Sequence, residues 1–162
     1  MIIQWLEGEP QKQRKEMESI ISEVLGRLFP AGSGENQVMC FVDLGLPSGV
    51  LWAPYDVEEP TMVGCTLPTY EQAAELINYC DFYIEEGADG TSYIVAWGSS
   101  GQSIIFPMRE YDFALVPSGC CWCQGESSTK YRYFLLLSEM TITIGFTESD
   151  MQLPYRMVKV QK

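Results

Sequence analysis

The sequence predicts an α+β fold: a turn-rich, mostly antiparallel sheet body carrying one or two helices. Three observations lead there. Two segments repeat apolar residues at helical spacing. Several short runs alternate apolar and polar residues, as half-buried strands do. Glycine- and proline-containing turn signals separate those runs, with no internal repeat and no low-complexity tract.

Residues 9–29 read as the first helix. Pro10 suits a first turn. Met17, Ile20, Ile21, Val24, Leu25, Leu28 and Phe29 form one apolar stripe, with Lys12, Arg14, Lys15, Glu16, Glu18 and Glu23 mostly off it. Pro30 closes it. The stripe is broad, nearer a 3.6-residue face than a heptad seam, so this N-terminal amphipathic helix either docks on the body or self-associates. Residues 31–37 are small and polar and read as a linker. The chain thus divides into a helix and linker over 1–35 and one body over 36–162.

Within the body, Val38–Leu44 predicts a strand, Pro47-Ser48-Gly49 a turn, Val50–Ala53 a second extended run and residues 54–66 a loop. Thr69 with Gln72 is a capping-box pattern that opens a second helix. Tyr70, Ala73, Ala74 and Ile77 are expected on one face of it, and it ends near Cys80. Phe82–Ile84 is a short apolar stretch and Glu85–Gly90 a turn. Tyr93–Trp97 and Ser103–Phe106 flank Gly98–Gln102 as a β-hairpin. Further strands are expected at 119–123, 131–138, 141–147 and 155–160.

The 162 residues fit one domain with a short appendage. Apolar residues make up 46% and charged residues 20%, which excludes a disordered or fibrous chain. Ten basic against 22 acidic residues leave a net charge of −12. That argues against a nucleic-acid partner and against an anionic membrane surface. No apolar run approaches a membrane span, so no membrane insertion is expected. Histidine is absent, which removes Ser-His, Cys-His and His-metal mechanisms. The opening Met1-Ile-Ile-Gln-Trp-Leu-Glu has no basic region and no cleavage site, so no signal peptide is expected. A chain of this kind stays in the cytoplasm until released or is carried on a virion; it is extracellular if a leader was removed.

Six cysteines, Cys40, Cys65, Cys80, Cys120, Cys121 and Cys123, are too sparse for a disulfide scaffold of this length and read as free, mostly buried thiols. Cys120-Cys121-Trp122-Cys123 invites a thiolate metal site. Strand alternation, however, sends Cys121 and Cys123 to one face and Cys120 to the other, and no fourth ligand stands at a usual spacing. Packing is the preferred reading, with no metal and no cofactor. The carboxylate clusters Glu58-Glu59, Glu85–Gly90 and Glu148-Ser149-Asp150 read as solvated loop charge rather than as a glycosidase pair or calcium site.

The segment Val42-Asp43-Leu44-Gly45-Leu46-Pro47-Ser48-Gly49-Val50-Leu51-Trp52-Ala53 resembles the opening of the Fibrobacter succinogenes major paralogous domain, a family abundant in gut Bacteroidetes. Thr66-Leu67-Pro68-Thr69-Tyr70-Glu71 is similar to its next motif except for a missing arginine. Ser92–Gly98 and Gly101–Pro107 resemble its hairpin, and Gly119–Gln124 loosely resembles its "G-x-YWSS". Tyr133–Leu137 and Pro154–Val160 echo its end. The resemblance covers about 38–161 and implies a C-type-lectin-like fold, the group shared with formylglycine-generating enzymes and retroelement-diversified display proteins. It implies no catalytic residue. The chain crosses 54–66 in 13 residues where family members often carry a longer insert, so it resembles a shortened version. The calcium-binding tripeptides of animal C-type lectins are absent.

Trp52, Trp97 and Trp122 lie in family-like motifs and read as core. Tyr111, Tyr131 and Tyr133 are less constrained, and a partly exposed tyrosine offers an apolar plate with a polar tip. Tyr131 and Tyr133 share a strand face. The polar loop Gln124–Lys130 lies beside them. The expected contact surface is therefore Tyr111, Gln124, Glu126, Ser128, Lys130, Tyr131 and Tyr133. The functional expectation is a non-enzymatic binding or display module for a carbohydrate or protein surface ligand. One alternative is a phage or prophage fibre component, a homo-oligomer through the N-terminal helix. The other is a cysteine oxidase similar to formylglycine-generating enzymes, which fold class alone does not support.

Overall fold

Three small antiparallel sheets and one helix make up the described chain, residues 39–126 and 131–161 of this computed structural model. The expected 9–29 helix and 31–37 linker lie outside the described residues. In chain order the elements are β1 (Val42–Asp43), β2 (Leu51–Trp52), α1 (Tyr70–Tyr79), β3 (Asp81–Glu86), β4 (Ser92–Trp97), β5 (Ser103–Pro107), β6 (Gly119–Glu126), β7 (Tyr131–Leu137), β8 (Ile142–Glu148) and β9 (Val158–Lys159). This is the expected α+β class, richer in strand than in helix.

The first sheet, β1-β2-β9, joins the start of the described body to its end: Val42 faces Trp52, and Trp52 faces Val158. Of the strand expected over Val38–Leu44, the described residues form only Val42–Asp43. Asp43 accepts the Gly45 N–H on its carboxylate at 2.8 Å, and its carbonyl accepts the Ser100 hydroxyl at 2.6 Å. The turn at Pro47-Ser48 forms as expected, closed by Gly49 N–H to the Leu46 carbonyl at 2.9 Å.

The second sheet, β3-β4-β5, contains the expected hairpin in unbroken register from Trp97↔Ser103 to Tyr93↔Pro107. Its turn closes by Gly98 N–H to the Gln102 carbonyl at 2.9 Å and Gly101 N–H to the Gly98 carbonyl at 3.1 Å. β4 buries four consecutive residues, Tyr93–Ala96, so it is covered on both faces. The apolar stretch Phe82–Ile84 proves to be the middle of β3.

The third sheet, β6-β7-β8, has different packing on its two faces. Cys121, Cys123, Leu135, Leu137 and Ile142 join the main core with Trp52, Leu76, Phe106 and Val158. Cys120, Trp122 and Phe134 point the other way into a second cluster with Leu153, roofed by Leu67, Tyr111, Phe113, Met151 and Tyr155. Helix α1 covers the first face. Its buried residues are Ala73 and Leu76, with Ile77 packed beside them. The expected face is thus corrected: Tyr70 in the first turn is 48% exposed, Ala74 is only half-buried, and Leu76, not among the expected residues, is buried in their place.

The strand expected over 155–160 is interrupted. Arg156, Met157 and Val158 are buried in succession, so the alternation fails there. Arg156 is drawn inward by three hydrogen bonds and an ion pair. Its Nε and Nη2 reach Asp56 Oδ1 at 2.9 and 2.8 Å. Nη1 donates to the Ala53 carbonyl at 3.0 Å, and Nη2 donates to the Ile105 carbonyl at 2.6 Å. The guanidinium lies 4.3 Å from the Phe106 ring centroid. A buried charge needs such satisfaction. Here it ties the 53–56 segment, β5 and the last segment of the chain to one point.

Candidate functional site

The site begins with an irregularity in β6. Trp122 faces Phe134, yet the next paired residue, Glu126, faces Arg132. Four steps on β6 oppose two on β7, a bulge that redirects the residues inside it. Gln124 is one of them. Its backbone N–H donates to the Pro68 carbonyl at 2.7 Å, and its side-chain amide donates to the Leu67 carbonyl at 2.8 Å. Two carbonyls just before α1 are thereby satisfied.

Those bonds fix where α1 starts. Thr69 is the N-cap: its hydroxyl accepts from Gln72 N–H at 3.2 Å, and the Gln72 side chain accepts from Thr69 N–H at 2.9 Å. Tyr70 follows directly and meets Tyr133 edge to face, with ring centroids 5.6 Å apart at 69°. Tyr133 sits opposite the bulge, packs on the main core and faces Phe146 across β7–β8. Phe146 is 65% exposed. Gly125 leaves the other flank of Tyr133 open, since a Cβ there would lie 3.7 Å from the ring. Tyr70, Tyr133 and Phe146 thus form an aromatic ledge, with exposed Gln124 and Gly125 at its rim.

The structure divides the expected contact residues. Tyr133 and Gln124 belong to the ledge. Glu126 and Tyr131 lie at the neighbouring ends of β6 and β7, where Tyr131 faces Glu148. Ser128 and Lys130 fall outside the described residues. Tyr111 is on the opposite face of the sheet. It stacks on Phe113 at 5.2 Å, and Phe113 meets Phe134 edge to face at 5.3 Å. The loop carrying it is pinned by paired backbone bonds between Arg109 and Ser118, both 2.9 Å. The Tyr111 hydroxyl is buried without a hydrogen bond of normal geometry. Burial, with the Cys120 thiol beside it, pushes its ionisation well above the ordinary phenol range. Tyr111 therefore anchors a loop and offers no plate to a ligand.

Tyr70 and Phe146 are ledge residues that the sequence reading missed. Tyr70 has helical spacing to Ala73 and Ala74, and Phe146 continues the alternation of Ile142 and Ile144, so both patterns say "inside". Only the end of the helix and the edge position of β8 turn them outward.

The cysteines are free in the described structure. Their alternation is as expected, Cys121 and Cys123 in one core and Cys120 in the other. Burial pushes the thiols of Cys80, Cys120 and Cys123 up to about 12 and raises that of Cys121 well above the ordinary thiol range. They stay protonated and weakly nucleophilic near neutrality. Among the described residues no group of three His, Cys, Asp or Glu side chains could hold a metal ion. In the 85–90 turn, Asp89 Oδ1 accepts Thr91 N–H at 2.9 Å, and that bond holds its carboxyl below the usual range. No helix among the described residues is long and apolar enough to cross a membrane.

Comparison with known proteins finds no matching family model, no matching curated protein and no matching solved structure.

Proposed function

We propose that this chain is a non-enzymatic binding module that takes neutral carbohydrate on the Tyr70–Tyr133–Phe146 ledge. The observation that carries the reading is the ledge itself: two aromatic side chains about half or more exposed, each against a third that is rooted in the core. Exposed rings that cost little entropy to hold are a general binding device. They offer flat apolar plates to the C–H faces of sugar rings. The Tyr70 and Tyr133 hydroxyls and the Gln124 amide provide polar partners at the rim. The net charge of −12 disfavours anionic glycans.

The proposed family is the Fibrobacter succinogenes major paralogous domain, with its C-type-lectin-like fold. Support comes from the structural work done by the motif residues. The Val42–Ala53 segment supplies β1, its turn and β2; Thr69 caps α1; and Trp52 and Trp122 are buried in the core, whereas Trp97, expected there too, is only half-buried at the end of β4. The pairing of β2 with both β1 and β9 brings the two ends of the described body together. An oxidase reading has less behind it: two accessible thiols would be needed, and Cys120, Cys121 and Cys123 are buried on two faces.

The test is binding of the full chain to an array of neutral and anionic glycans, compared with the Tyr70→Ala/Phe146→Ala variant. Retained stability with lost glycan binding supports the reading. Equal binding by both proteins overturns it.

A further inference from the structure

The chain contains one Asp-Gly step, Asp89-Gly90, and no Asn-Gly step. Such a step is open to backbone rearrangement. The glycine amide nitrogen can attack the aspartate side-chain carbon, and glycine has no side chain to hinder the approach. Asp89 and Gly90 are both exposed, at the tip of the β3–β4 hairpin just beyond the Glu86↔Ser92 pair.

The turn engages both reacting groups. Gly90 N–H donates to the Gly87 carbonyl at 3.0 Å, so the nitrogen that would attack holds its proton in a hydrogen bond. Asp89 Oδ1 accepts Thr91 N–H at 2.9 Å, and that bond favours the ionised carboxylate. The carboxylate is a poor acyl acceptor; the neutral acid is the form that reacts. Gly87 N–H donates to the Thr91 carbonyl at 2.8 Å and closes the loop behind them. Gly87 is seated on buried Tyr93, where an added Cβ would stand 2.8 Å from the ring and 2.9 Å from Asp89 Oδ1. Gly90 has φ 79°, a left-handed conformation that glycine adopts without steric cost.

We propose that Asp89 is a latent modification site: the closed turn protects it, and opening of the hairpin tip converts it to isoaspartate.

The chemistry needs only water. The Gly90 nitrogen bonds to Asp89 Cγ and gives up its proton, Cγ gives up its hydroxyl, and one water leaves a cyclic imide. One water then opens the ring. Cleavage of the Cγ–N bond restores aspartate. Cleavage of the bond between the nitrogen and the original backbone carbonyl carbon leaves the main chain running through Cβ and Cγ. No electron changes hands. The product has an extra methylene in its backbone and no side-chain carboxylate in the old place. It does not rebuild the Gly90–Gly87 and Thr91–Asp89 bonds, so a tip that has reacted stays open and Tyr93 loses its cover. The chain thereby keeps a chemical record of opening at this end of the sheet.

The experiment incubates the full chain at neutral pH in buffer and in urea. Isoaspartate at residue 89 is read by enzymatic methylation and peptide mapping. The native chain is expected to form it at least about tenfold more slowly in buffer than in urea, because only the open turn reacts. Thr91→Pro removes the N–H that holds Asp89 and is expected to react faster than the native chain in buffer. Asp89→Asn keeps the side-chain acceptor and loses ammonia instead of water, so its gain in mass reports the same ring closure in the same turn. It is also expected to react slowly in buffer and quickly in urea, and it decides the matter alone if Thr91→Pro does not fold. Equal rates in buffer and urea overturn the proposal, as does a folded Thr91→Pro no faster than the native chain, or a chain that forms no isoaspartate at residue 89 in urea.

Discussion

Gly98 lies against the backbone of Leu44 so closely that a side chain has nowhere to go: an added Cβ would overlap the Leu44 carbonyl and sit 2.7 Å from its Cα. This contact holds the Asp43–Gly45 segment on the turn of the β4–β5 hairpin. Ser99 and Ser100 complete it, donating to the Gly45 and Asp43 carbonyls at 3.2 and 2.6 Å. Gly45 in turn has φ 71°, and an added Cβ there would stand 2.6 Å from Ser99 Oγ. Two glycines from separate motifs are thus two sides of one contact.

Gly98→Ala is expected to destabilise the protein by about 3 kcal/mol or more, because backbone must move to admit the methyl group. Ser100→Ala removes a hydrogen bond and is expected to cost about 1 kcal/mol. Urea unfolding followed by tryptophan fluorescence measures both.

Arg156→Met is expected to cost about 3–5 kcal/mol, since it leaves Asp56 with its charge uncompensated and the Ala53 and Ile105 carbonyls without their donor. Arg156→Met/Asp56→Leu is expected to recover part of that loss. A double variant as unstable as the sum of the singles would contradict the clamp. Equilibrium unfolding of the four proteins decides it.

Alkaline pH should unfold the protein through its thiols. Cysteine ordinarily ionises near 9.0, and burial holds Cys80, Cys120 and Cys123 to about 12. Between those values the folded state keeps protons that the unfolded chain has lost. The stabilisation is complete below pH 9 and falls as pH rises, by up to about 1.4 kcal/mol per pH unit for each thiol. In an alkylation experiment at pH 8, exposed Cys40 is expected to react quickly, and Cys80, Cys120, Cys121 and Cys123 only in denaturant.

Thr69→Ala is expected to cost about 1 kcal/mol through loss of the helix cap. It should also weaken ligand binding, because the cap sets the position of Tyr70 against Tyr133. Thr69→Ser, which keeps the hydroxyl, is expected to restore both. Isothermal binding and unfolding measurements separate the two effects.

Local chemistry was legible in the sequence. The Thr69–Gln72 capping box, the hairpin across Gly98–Gln102 and the opposed faces of Cys120 and Cys121 each depend on neighbours a few residues apart. Distant partners were not. Arg156 reads as an outward residue of an alternating strand until Asp56, one hundred residues away, is beside it. Tyr111 reads as a free aromatic until Phe113 and Phe134 enclose it. The ledge was half legible: Tyr133 and Gln124 stood out by their place next to a polar loop. Tyr70 and Phe146 were hidden by periodicities that are correct for the element and fail at its edge.

The most direct test of the ledge is glycan binding by the full chain beside its Tyr70→Ala/Phe146→Ala variant, with unfolding free energies measured in parallel. Tyr70 is about half exposed and Phe146 mostly so, and the variant is expected to lose about 1 kcal/mol of stability. The account predicts that the native chain binds neutral glycans and that the variant binds them at least about tenfold more weakly, the loss of about 1.4 kcal/mol of contact. A native chain that binds no glycan, or a variant that binds as well as the native chain, would contradict it.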